Sequence, residues 1–274
     1  MYRIVAMDLD QTLLSRDKKL MGDFNRFVNS CTKNNIIPII ATGRGYHSAK
    51  HFIPQWPLNI VCNNGNLIRN EQKGSIEYIN PIPKADVRDI LYHQKNERIQ
   101  TSFHINGYDD GKDLAQFPSK DTKYQYRSRE GKRNIKLKRL EDLSYDILSV
   151  VFTGEKEDLR QLELELSLEY QDRFNLHLMA FHTRDCHMLE VLQRSGDKYI
   201  GVREFAQKRN IQMSEVIAIG DDSNDRLLIE KAGLGIAMKN GVKEVRRVAD
   251  IVSHKTNDEG GALDILNKVL KFGD

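Results

Sequence analysis

Short apolar runs alternate with helical periodicities in the first part of the chain, and each apolar run ends in polar residues. The run Tyr2–Met7 predicts a buried strand that stops at Asp8-Leu9-Asp10. Apolar residues at spacings of three and four then run from Met21 to Asn34, which indicates a helix with one buried face. The same criteria predict strands at Ile36–Ala41 and Leu58–Cys62, with a helix-like stretch at Tyr46–Phe52 between them.

The last third of the chain repeats this alternation. A helix is predicted over Lys198–Lys208, followed by a strand at Val216–Ile219 that ends in Gly220-Asp221-Asp222-Ser223-Asn224-Asp225. A further helix to about Lys231 and two short apolar runs follow. Strands that alternate with helices indicate a Rossmann-like doubly wound α/β core, in which parallel strands present polar groups at their carboxyl ends.

The middle of the chain lacks polar clusters of this kind, and Pro81-Ile82-Pro83 marks its beginning. This change of pattern predicts a second domain, residues 83–186, inserted into a core formed by residues 1–82 and 187–274. Within the insert, a helix that packs on a core is predicted from a stripe at helical spacing, Leu159, Leu162, Leu166 and Tyr170.

Composition fits a globular protein and narrows its partners. The chain has 274 residues, and 42 Lys and Arg against 39 Asp and Glu give a formal net charge of +3, a balance that does not favour nucleic-acid binding. No apolar run is long enough to span a membrane, and the first one ends too early for a signal peptide. Three separated cysteines, Cys31, Cys62 and Cys186, fit neither a disulfide framework nor a zinc site. We therefore expect a cytoplasmic protein; its oligomeric state leaves no signal in the sequence.

Charge is distributed unevenly within the insert. Residues 120–139 carry nine Lys or Arg and two Asp or Glu, whereas residues 141–172 carry two and ten. The basic stretch, Lys120 to Arg139, could meet an anionic substrate. The alternative is a pair of oppositely charged solvated faces.

Asp8 and Asp10 stand at the end of a buried strand with one residue between them. Their carboxylates would repel each other unless a cation or a proton lay nearby, so the pair predicts a divalent ion. Residues two apart share a face within a strand, so the two side chains can face different sides only if the strand ends before Asp10. One can then bind metal or attack a substrate while the other exchanges a proton. A bare acid pair in a loop is the alternative interpretation.

Two further strand and helix ends carry groups suited to an anion. Thr42 ends the second predicted strand, and its hydroxyl and the N–H of Gly43 can donate to a phosphate, although a threonine here can also be a helix N-cap. Arg44 is either a substrate-side or a surface cation. Lys198 opens a predicted helix, so its ammonium and the helix N-terminus can both face an anion, although most lysines are solvated.

The run Asp8-Leu9-Asp10-Gln11-Thr12-Leu13-Leu14 resembles the D-x-D-x-T-[LV] signature of the haloacid dehalogenase (HAD) superfamily, most of whose members are phosphatases. The other motifs of the superfamily follow in order: Thr42, Lys198, and Gly220-Asp221-x-x-Asn224-Asp225. The segment Leu189-Glu190-Val191…Gly196-Asp197-Lys198 and the position of the insert resemble the Cof-type branch. This resemblance implies a HAD-fold core with an inserted α/β cap domain that closes over it.

The resemblance also implies catalytic roles. Asp8 would attack phosphorus and form an aspartyl-phosphate intermediate, and Asp10 would act first as general acid and then as base. Thr42 and Lys198 would complete the catalytic set, with Lys198 restraining both the nucleophile and the phosphoryl charge. A carboxylate is a poor nucleophile toward a charged phosphoryl group, so positive groups must neutralise the phosphoryl oxygens.

Binding sites for metal and phosphate follow from the same resemblance. Mg²⁺ would be held by Asp8, the backbone carbonyl of Asp10, Asp221 and, through water or from outside the direct ligands, Asp225. The phosphate and the rest of the substrate would contact Thr42, Gly43, Arg44, Lys198 and Asn224.

The implied activity is hydrolysis of a small phosphorylated metabolite, such as a sugar phosphate, pyridoxal phosphate, a flavin or a nucleotide monophosphate. A phosphomutase or other phosphoryl transferase, and a non-catalytic binding protein on the same scaffold, are the alternatives. Two residues depart from the family pattern, since Gln11 and Asp222 stand where glycine is common.

Overall fold

The first apolar run of the sequence forms a fully buried strand, β1 (Ile4–Met7), in a computed structural model that describes residues 1–118, 124, 134–180 and 186–272. The next element, α1 (Phe24–Lys33), begins where the side chain of Asp23 accepts a hydrogen bond from the backbone N–H of Arg26, and it buries its predicted apolar face. The remaining elements before residue 80 are β2 (Ile37–Ala41), α2 (Tyr46–Lys50), β3 (Asn59–Cys62), β4 (Leu67–Asn70) and β5 (Ser75–Ile79).

The middle of the chain forms a second set of elements around its own sheet. In chain order these are α3 (Lys84–His93), β6 (Gln100–Gly107), β7 (Lys112–Gln116), β8 (Asn134–Lys136), β9 (Ile147–Gly154), α4 (Lys156–Tyr170), β10 (Phe174–Ala180) and β11 (His187–Gln193). The six strands lie in the order β10-β11-β9-β6-β7-β8, and all neighbours are antiparallel except β7 and β8.

The last part of the chain returns to the first sheet. Its elements are α5 (Lys198–Gln207), β12 (Val216–Gly220), α6 (Arg226–Lys231), β13 (Leu234–Ala237), α7 (Lys243–Val248), β14 (Ile251–Val252) and α8 (Gly261–Leu270). The eight strands lie in the order β14-β13-β12-β1-β2-β3-β4-β5, and the pairs from β14 to β3 are parallel. The predicted α/β fold class is confirmed.

Contacts divide the chain into one unit of Met1–Ile79 with Asp197–Asp274 and another of Asn80–Gly196. The return to the first unit therefore lies ten residues later than the boundary at 186/187 expected from the sequence. The reason is the pairing of β11, which is antiparallel to both β9 and β10. The apolar residues of β11 resemble those of a strand from either sheet, so composition alone could not assign it.

The helical stripe predicted in the insert is observed in α4. Leu159, Leu162 and Leu166 are buried in the core of the second unit, together with residues of α3 and β9. Tyr170 is only partly buried, and its hydroxyl lies 3.1 Å from Nε2 of His93. The stripe therefore has the packing role that its spacing predicts.

The basic stretch Lys120 to Arg139 lies mostly outside the described residues. None of the helices in the described ranges has the length and apolar character needed to cross a bilayer. All three cysteines are buried, and no disulfide joins them in the described part of the chain.

The two departures from the family pattern differ in their backbone. Gln11 adopts φ +55°, in the left-handed region that favours glycine, so this position is strained. Asp222 is extended, with φ −115°, and its side chain accepts a hydrogen bond from the N–H of Ser223 at 2.7 Å. Asp222 is therefore accommodated without a glycine, whereas Gln11 is held at a conformational cost.

We predict that Gln11→Gly stabilises the protein. Relief of the left-handed strain at a residue with a side chain stabilises the folded state by about 1–2 kcal/mol. The greater freedom of glycine in the unfolded chain offsets about 0.5–1 kcal/mol of this stabilisation. The free energy of unfolding measured in urea should therefore rise by about 0.5–1 kcal/mol. Gln11→Ala is the matched control, because it removes the same side chain but keeps Cβ, and it should give no increase. Equal effects of the two substitutions on the free energy of unfolding would show that the backbone at Gln11 is not strained.

Candidate active site

The polar residues predicted at the strand ends come together because their strands are neighbours in the parallel part of the first sheet. β1 lies between β2 and β12, with Met7 level with Ile40 on one side and with Ile219 on the other. The N–H of Asp8 continues the ladder by donating to the carbonyl of Ile219 at 3.0 Å. The carboxyl ends of parallel strands meet at one edge, and this edge carries the candidate site.

Lys198 lies at the centre of this edge. Its side chain is 1% exposed, and Nζ donates to Oδ1 of Asp8 at 2.7 Å and to Oδ1 of Asp225 at 2.6 Å. It is the first residue of α5, after Asp197, whose side chain accepts from the N–H of Tyr199. The alternative of a solvated lysine is therefore wrong, since this ammonium is buried between two carboxylates.

Three buried carboxylates form a group that can hold a metal ion. Asp8, Asp221 and Asp225 each offer an oxygen, and these oxygens lie within 4.8 Å of one another. Oδ2 of Asp225 accepts from the N–H groups of Asp221 and Asp222 at 3.0 and 3.1 Å, which fixes its orientation. A Cβ at Gly220 would lie 2.3 Å from Cγ of Asp225, so this approach needs glycine.

The electrostatics of this group fit a divalent cation. Burial raises the pKa of Asp8 to about 7, and the charges of Asp225 and Asp10 oppose the lowering effect of Lys198. Burial also raises the pKa of Asp221 to about 9, together with repulsion from Asp8 and Asp225. Three carboxylates against one ammonium leave a formal charge of −2 when all are ionised. Oxygen ligands of this charge suit Mg²⁺, and Asp8, Asp221 and Asp225 are the residues that would hold it.

Asp10 has a different environment from Asp8. Arg44 donates to both of its carboxylate oxygens, from Nε at 2.5 Å and from Nη2 at 2.6 Å, and Lys18 donates to Oδ1 at 2.5 Å. Burial acts to raise the pKa of Asp10, but the hydrogen bonds and charges of Arg44 and Lys18 lower it to about 2. Its side chain lies outside the carboxylate group, and the metal contact expected of its backbone carbonyl stays a prediction.

The segment after β2 is held by polar contacts on several sides. Thr42 is buried, its N–H donates to the carbonyl of Val61 at 2.9 Å, and its hydroxyl accepts from the N–H of Arg44 at 3.2 Å. Arg44 pairs with Asp10 rather than standing as an isolated surface cation, and its guanidinium also lies 4.7 Å from the ring centre of Phe52. The phosphate-binding roles of Thr42, Gly43 and Arg44 stay predictions.

Three residues at this site have contacts that the sequence did not predict. Thr12 donates from its hydroxyl to Oδ1 of Asp221 at 2.8 Å, and Lys18 binds Asp10. Asn64 accepts from Nδ2 of Asn224 at 2.9 Å. Thr12 was visible as the threonine of the first motif, and Asn64 only as part of a turn. Lys18 gave no signal, because a lysine in a charged loop is usually solvated.

Comparison with known proteins identifies the family of this fold and site. The model of the haloacid dehalogenase-like hydrolases matches residues 5–266, and the chain belongs to this family. The predicted recognition is therefore confirmed. A solved structure of a haloacid dehalogenase-like hydrolase from Bacteroides thetaiotaomicron has a TM-score of 0.79 at 23% identity, covering 98% of this chain and 100% of the other.

Similar curated proteins carry the predicted enzyme class. The 5-amino-6-(5-phospho-D-ribitylamino)uracil phosphatase YitU of Bacillus subtilis (strain 168) is 26% identical, with 98% of each chain covered. The HMP-PP phosphatase of Escherichia coli O1:K1 / APEC is 28% identical, covering 90% of this chain and 87% of that protein. Both relatives are phosphatases, as expected for a chain of this family.

We predict that Lys198→Met destabilises the metal-free protein by about 3–5 kcal/mol, because it leaves buried carboxylates without their cation. Lys198 lowers the pKa of Asp8, so its loss raises that pKa further. A carboxyl whose pKa is raised in the folded state contributes to the stability of the protein at low pH, and this contribution is lost as the pH rises through that pKa. The deficit should therefore be larger at about pH 8 than at about pH 5.

The measurement is urea unfolding in EDTA at both pH values. Lys73→Met is the matched control, since Lys73 is an exposed lysine in the turn between β4 and β5. It should change the free energy of unfolding by no more than about 0.5 kcal/mol. A deficit for Lys198→Met that is small, or equal at both pH values, would show that its charge does not hold the carboxylates together.

Proposed function

We propose that this protein is a Mg²⁺-dependent phosphatase that hydrolyses a small phosphorylated metabolite through an aspartyl-phosphate on Asp8. The observation that carries this proposal is the position of Asp8, whose carboxylate is shared between Lys198 and the group it forms with Asp221 and Asp225. Positive charge beside a buried carboxylate reduces its electrostatic repulsion from an anionic phosphoryl group, so the carboxylate can approach phosphorus as a nucleophile.

Asp8 attacks phosphorus with its carboxylate, so a bond forms between carboxylate oxygen and phosphorus while the ester bond to the leaving group breaks. The hydrogen bond from Lys198 to Oδ1 fixes the orientation of the carboxylate, and we assign Oδ2 as the attacking oxygen. Water then gives up a proton, its oxygen bonds to phosphorus, and the carboxylate of Asp8 leaves with inorganic phosphate as the product.

Asp10 is the proton-transfer group of this proposal, and its ion pairs set a condition on that role. With a pKa of about 2 it is ionised at neutral pH, which suits a base that accepts a proton from water. To act as an acid toward the leaving group it must first take up a proton. This requires release of the bonds from Arg44 and Lys18, which both stabilise the ionised form.

Positive charge for the transferred group comes from several sources in this proposal. Lys198 neutralises the carboxylates that flank the phosphoryl group, and the Thr42–Gly43 segment and the amide of Asn224 supply hydrogen-bond donors. When bound at Asp8, Asp221 and Asp225, Mg²⁺ supplies charge neutralisation and orients the phosphate oxygens. Thr12 holds Asp221 in place through its 2.8 Å hydrogen bond.

For the substrate we propose a small phosphorylated metabolite, with a sugar phosphate, pyridoxal phosphate, a flavin or a nucleotide monophosphate as the classes to compare. The names of the two relatives support small metabolites as a class, since one acts on 5-amino-6-(5-phospho-D-ribitylamino)uracil and the other on HMP-PP. The second unit offers no motif that selects among these classes.

We predict that Asp8→Asn reduces turnover of p-nitrophenyl phosphate to less than about one thousandth, because the amide cannot act as the nucleophile. Release of inorganic phosphate is measured with Mg²⁺ on this ester and on the four metabolite classes. Asp17→Asn is the matched control, since Asp17 is exposed in a turn, and it should retain full activity. Retained activity in folded Asp8→Asn would exclude the aspartyl-phosphate mechanism. Phosphate release that depends on a second sugar phosphate would indicate a transferase instead.

We also predict that Mg²⁺ binds more tightly as pH rises from about 6 to about 9. The pKa of Asp8 is raised to about 7 and that of Asp221 to about 9, so at neutral pH the metal-free protein holds a proton on Asp221 and part of one on Asp8. Each proton that the metal displaces makes the apparent Kd fall by up to about tenfold per pH unit.

Isothermal titration of the EDTA-treated protein with MgCl₂ at several pH values, in buffers of different ionisation enthalpy, measures both the affinity and the protons released. Asp221→Asn should weaken binding and flatten its pH dependence. Asp222→Asn is the control, because this exposed neighbour can keep its cap to Ser223 as an asparagine. If the affinity for Mg²⁺ does not depend on pH, the metal displaces no protons from Asp8 and Asp221, and the prediction is wrong.

A further inference from the structure

The turn after β3 has an unusual backbone and is buried. Asn63, Asn64 and Gly65 have successive positive φ angles of 49°, 50° and 89°. Asn63, Asn64 and Asn66 are at most 1% exposed. Asparagine tolerates the left-handed region better than most residues, but three buried carboxamides within four residues cost free energy unless each is used in hydrogen bonds. The sequence identifies the turn but does not explain why its side chains are buried.

The backbone of this turn holds the segment that follows β2. The N–H of Asn63 donates to the carbonyl of Arg44 at 2.9 Å, and the N–H of Asn64 donates to the carbonyl of Thr42 at 3.1 Å. Both donors come from left-handed residues, so the bonds depend on that conformation. The turn therefore fixes the Thr42–Arg44 segment from the side of β3.

The side chain of Asn64 connects this segment to the end of β12. Its Oδ1 accepts from Nδ2 of Asn224 at 2.9 Å, between residues 160 positions apart in the chain. A Cβ at Gly43 would lie 3.1 Å from Oδ1 of Asn64 and 3.5 Å from Nδ2 of Asn224. The carboxamide of Asn64 thus lies against Gly43 and bonds Asn224, which are two of the residues proposed to bind phosphate.

The hydrogen bond to Asn64 fixes the orientation of the Asn224 amide. The nitrogen of a carboxamide carries two N–H donors, and its plane is fixed once one of them is bonded. When Asn64 takes one N–H of Asn224, the second has a defined direction. Without that bond, the amide of Asn224 can rotate about its last torsion, which is broad for this side chain.

We propose that Asn64 is a positioning residue for phosphate recognition, which orients the amide of Asn224 beside Gly43 so that its remaining N–H donates to the bound anion. This inference rests on the proposed phosphatase function. It assigns the buried asparagine turn to the same site without giving it any contact with the reacting atoms.

The test compares binding of inorganic phosphate, in the presence of Mg²⁺, by native protein, Asn64→Gly, Asn224→Ala and the double variant. Glycine adopts the left-handed conformation readily, so Asn64→Gly removes the amide while keeping the turn. We expect it to raise the Kd for phosphate by about tenfold, the size of one hydrogen bond to a charged group. The KM for p-nitrophenyl phosphate should rise in parallel, with a smaller effect on kcat.

The double variant tests whether Asn64 acts through Asn224. If it does, Asn64→Gly weakens phosphate binding no further once Asn224 is alanine. Asn35→Gly is the matched control, because Asn35 is also left-handed, with φ +57°, but lies exposed after α1. It should leave Kd and KM unchanged. If Asn64→Gly does not fold, the test uses native protein and Asn224→Ala, and a Kd for phosphate in Asn224→Ala within about twofold of native would overturn the inference.

Two results would overturn the inference: a Kd for phosphate within about twofold of native in folded Asn64→Gly, or effects of the two substitutions that multiply independently. A native protein that binds no phosphate would overturn it as well. Failure of the proposed function is distinguishable, since a native protein that binds phosphate but hydrolyses no ester would refute the phosphatase while the binding data still decide the role of Asn64.

Discussion

The buried ammonium of Lys198 is the interaction on which the arrangement of the site depends. It lies between the carboxylates of Asp8 and Asp225 at 2.7 and 2.6 Å, in a place with almost no solvent exposure. Carboxylates this close would otherwise shift toward their neutral forms or separate, because burial penalises each charge. Burial acts to lower the pKa of Lys198, but the charges of Asp225 and Asp8 raise it, so the cation persists. One lysine leaves the group short of positive charge, and a metal ion can supply the rest.

Close backbone packing brings this lysine to the strand ends. A Cβ at Gly65 would lie 2.1 Å from the carbonyl oxygen of Asp197, and one at Gly201 would lie 2.6 Å from Cγ1 of Val61. These contacts set the start of α5 directly against β3 and the turn that follows it. The glycine at 65 therefore serves two purposes: it permits the left-handed turn, with φ +89°, and it admits the helix. The same turn carries Asn64, so helix placement and amide placement have a common origin.

The sequence predicts those features that follow from regular periodicity. Asp8, Thr42 and Asp221 were expected at one edge, since carboxyl ends of parallel strands converge, and the structure places them there. The sequence could not predict the hydrogen bond between Asn64 and Asn224 or the ion pair of Lys18 with Asp10, because such contacts depend on how loops pack against one another. The assignment of β11 failed for a related reason: hydrophobicity indicates a strand but not its sheet.

Asp8 and Asp10 show why a motif alone does not determine the chemistry of its members. They come from the same strand end, yet the pKa of Asp8 is raised to about 7 and that of Asp10 is lowered to about 2. The strand itself does not cause this difference, since β1 ends at Met7 and residues two apart would share one face of a continued strand. Asp8 meets two other buried carboxylates and one lysine, whereas Asp10 meets Arg44 and Lys18. Distinct roles for two identical groups therefore arise from residues that are distant in the chain, and an acidic pair acquires them only after the loops from other strands have packed around it.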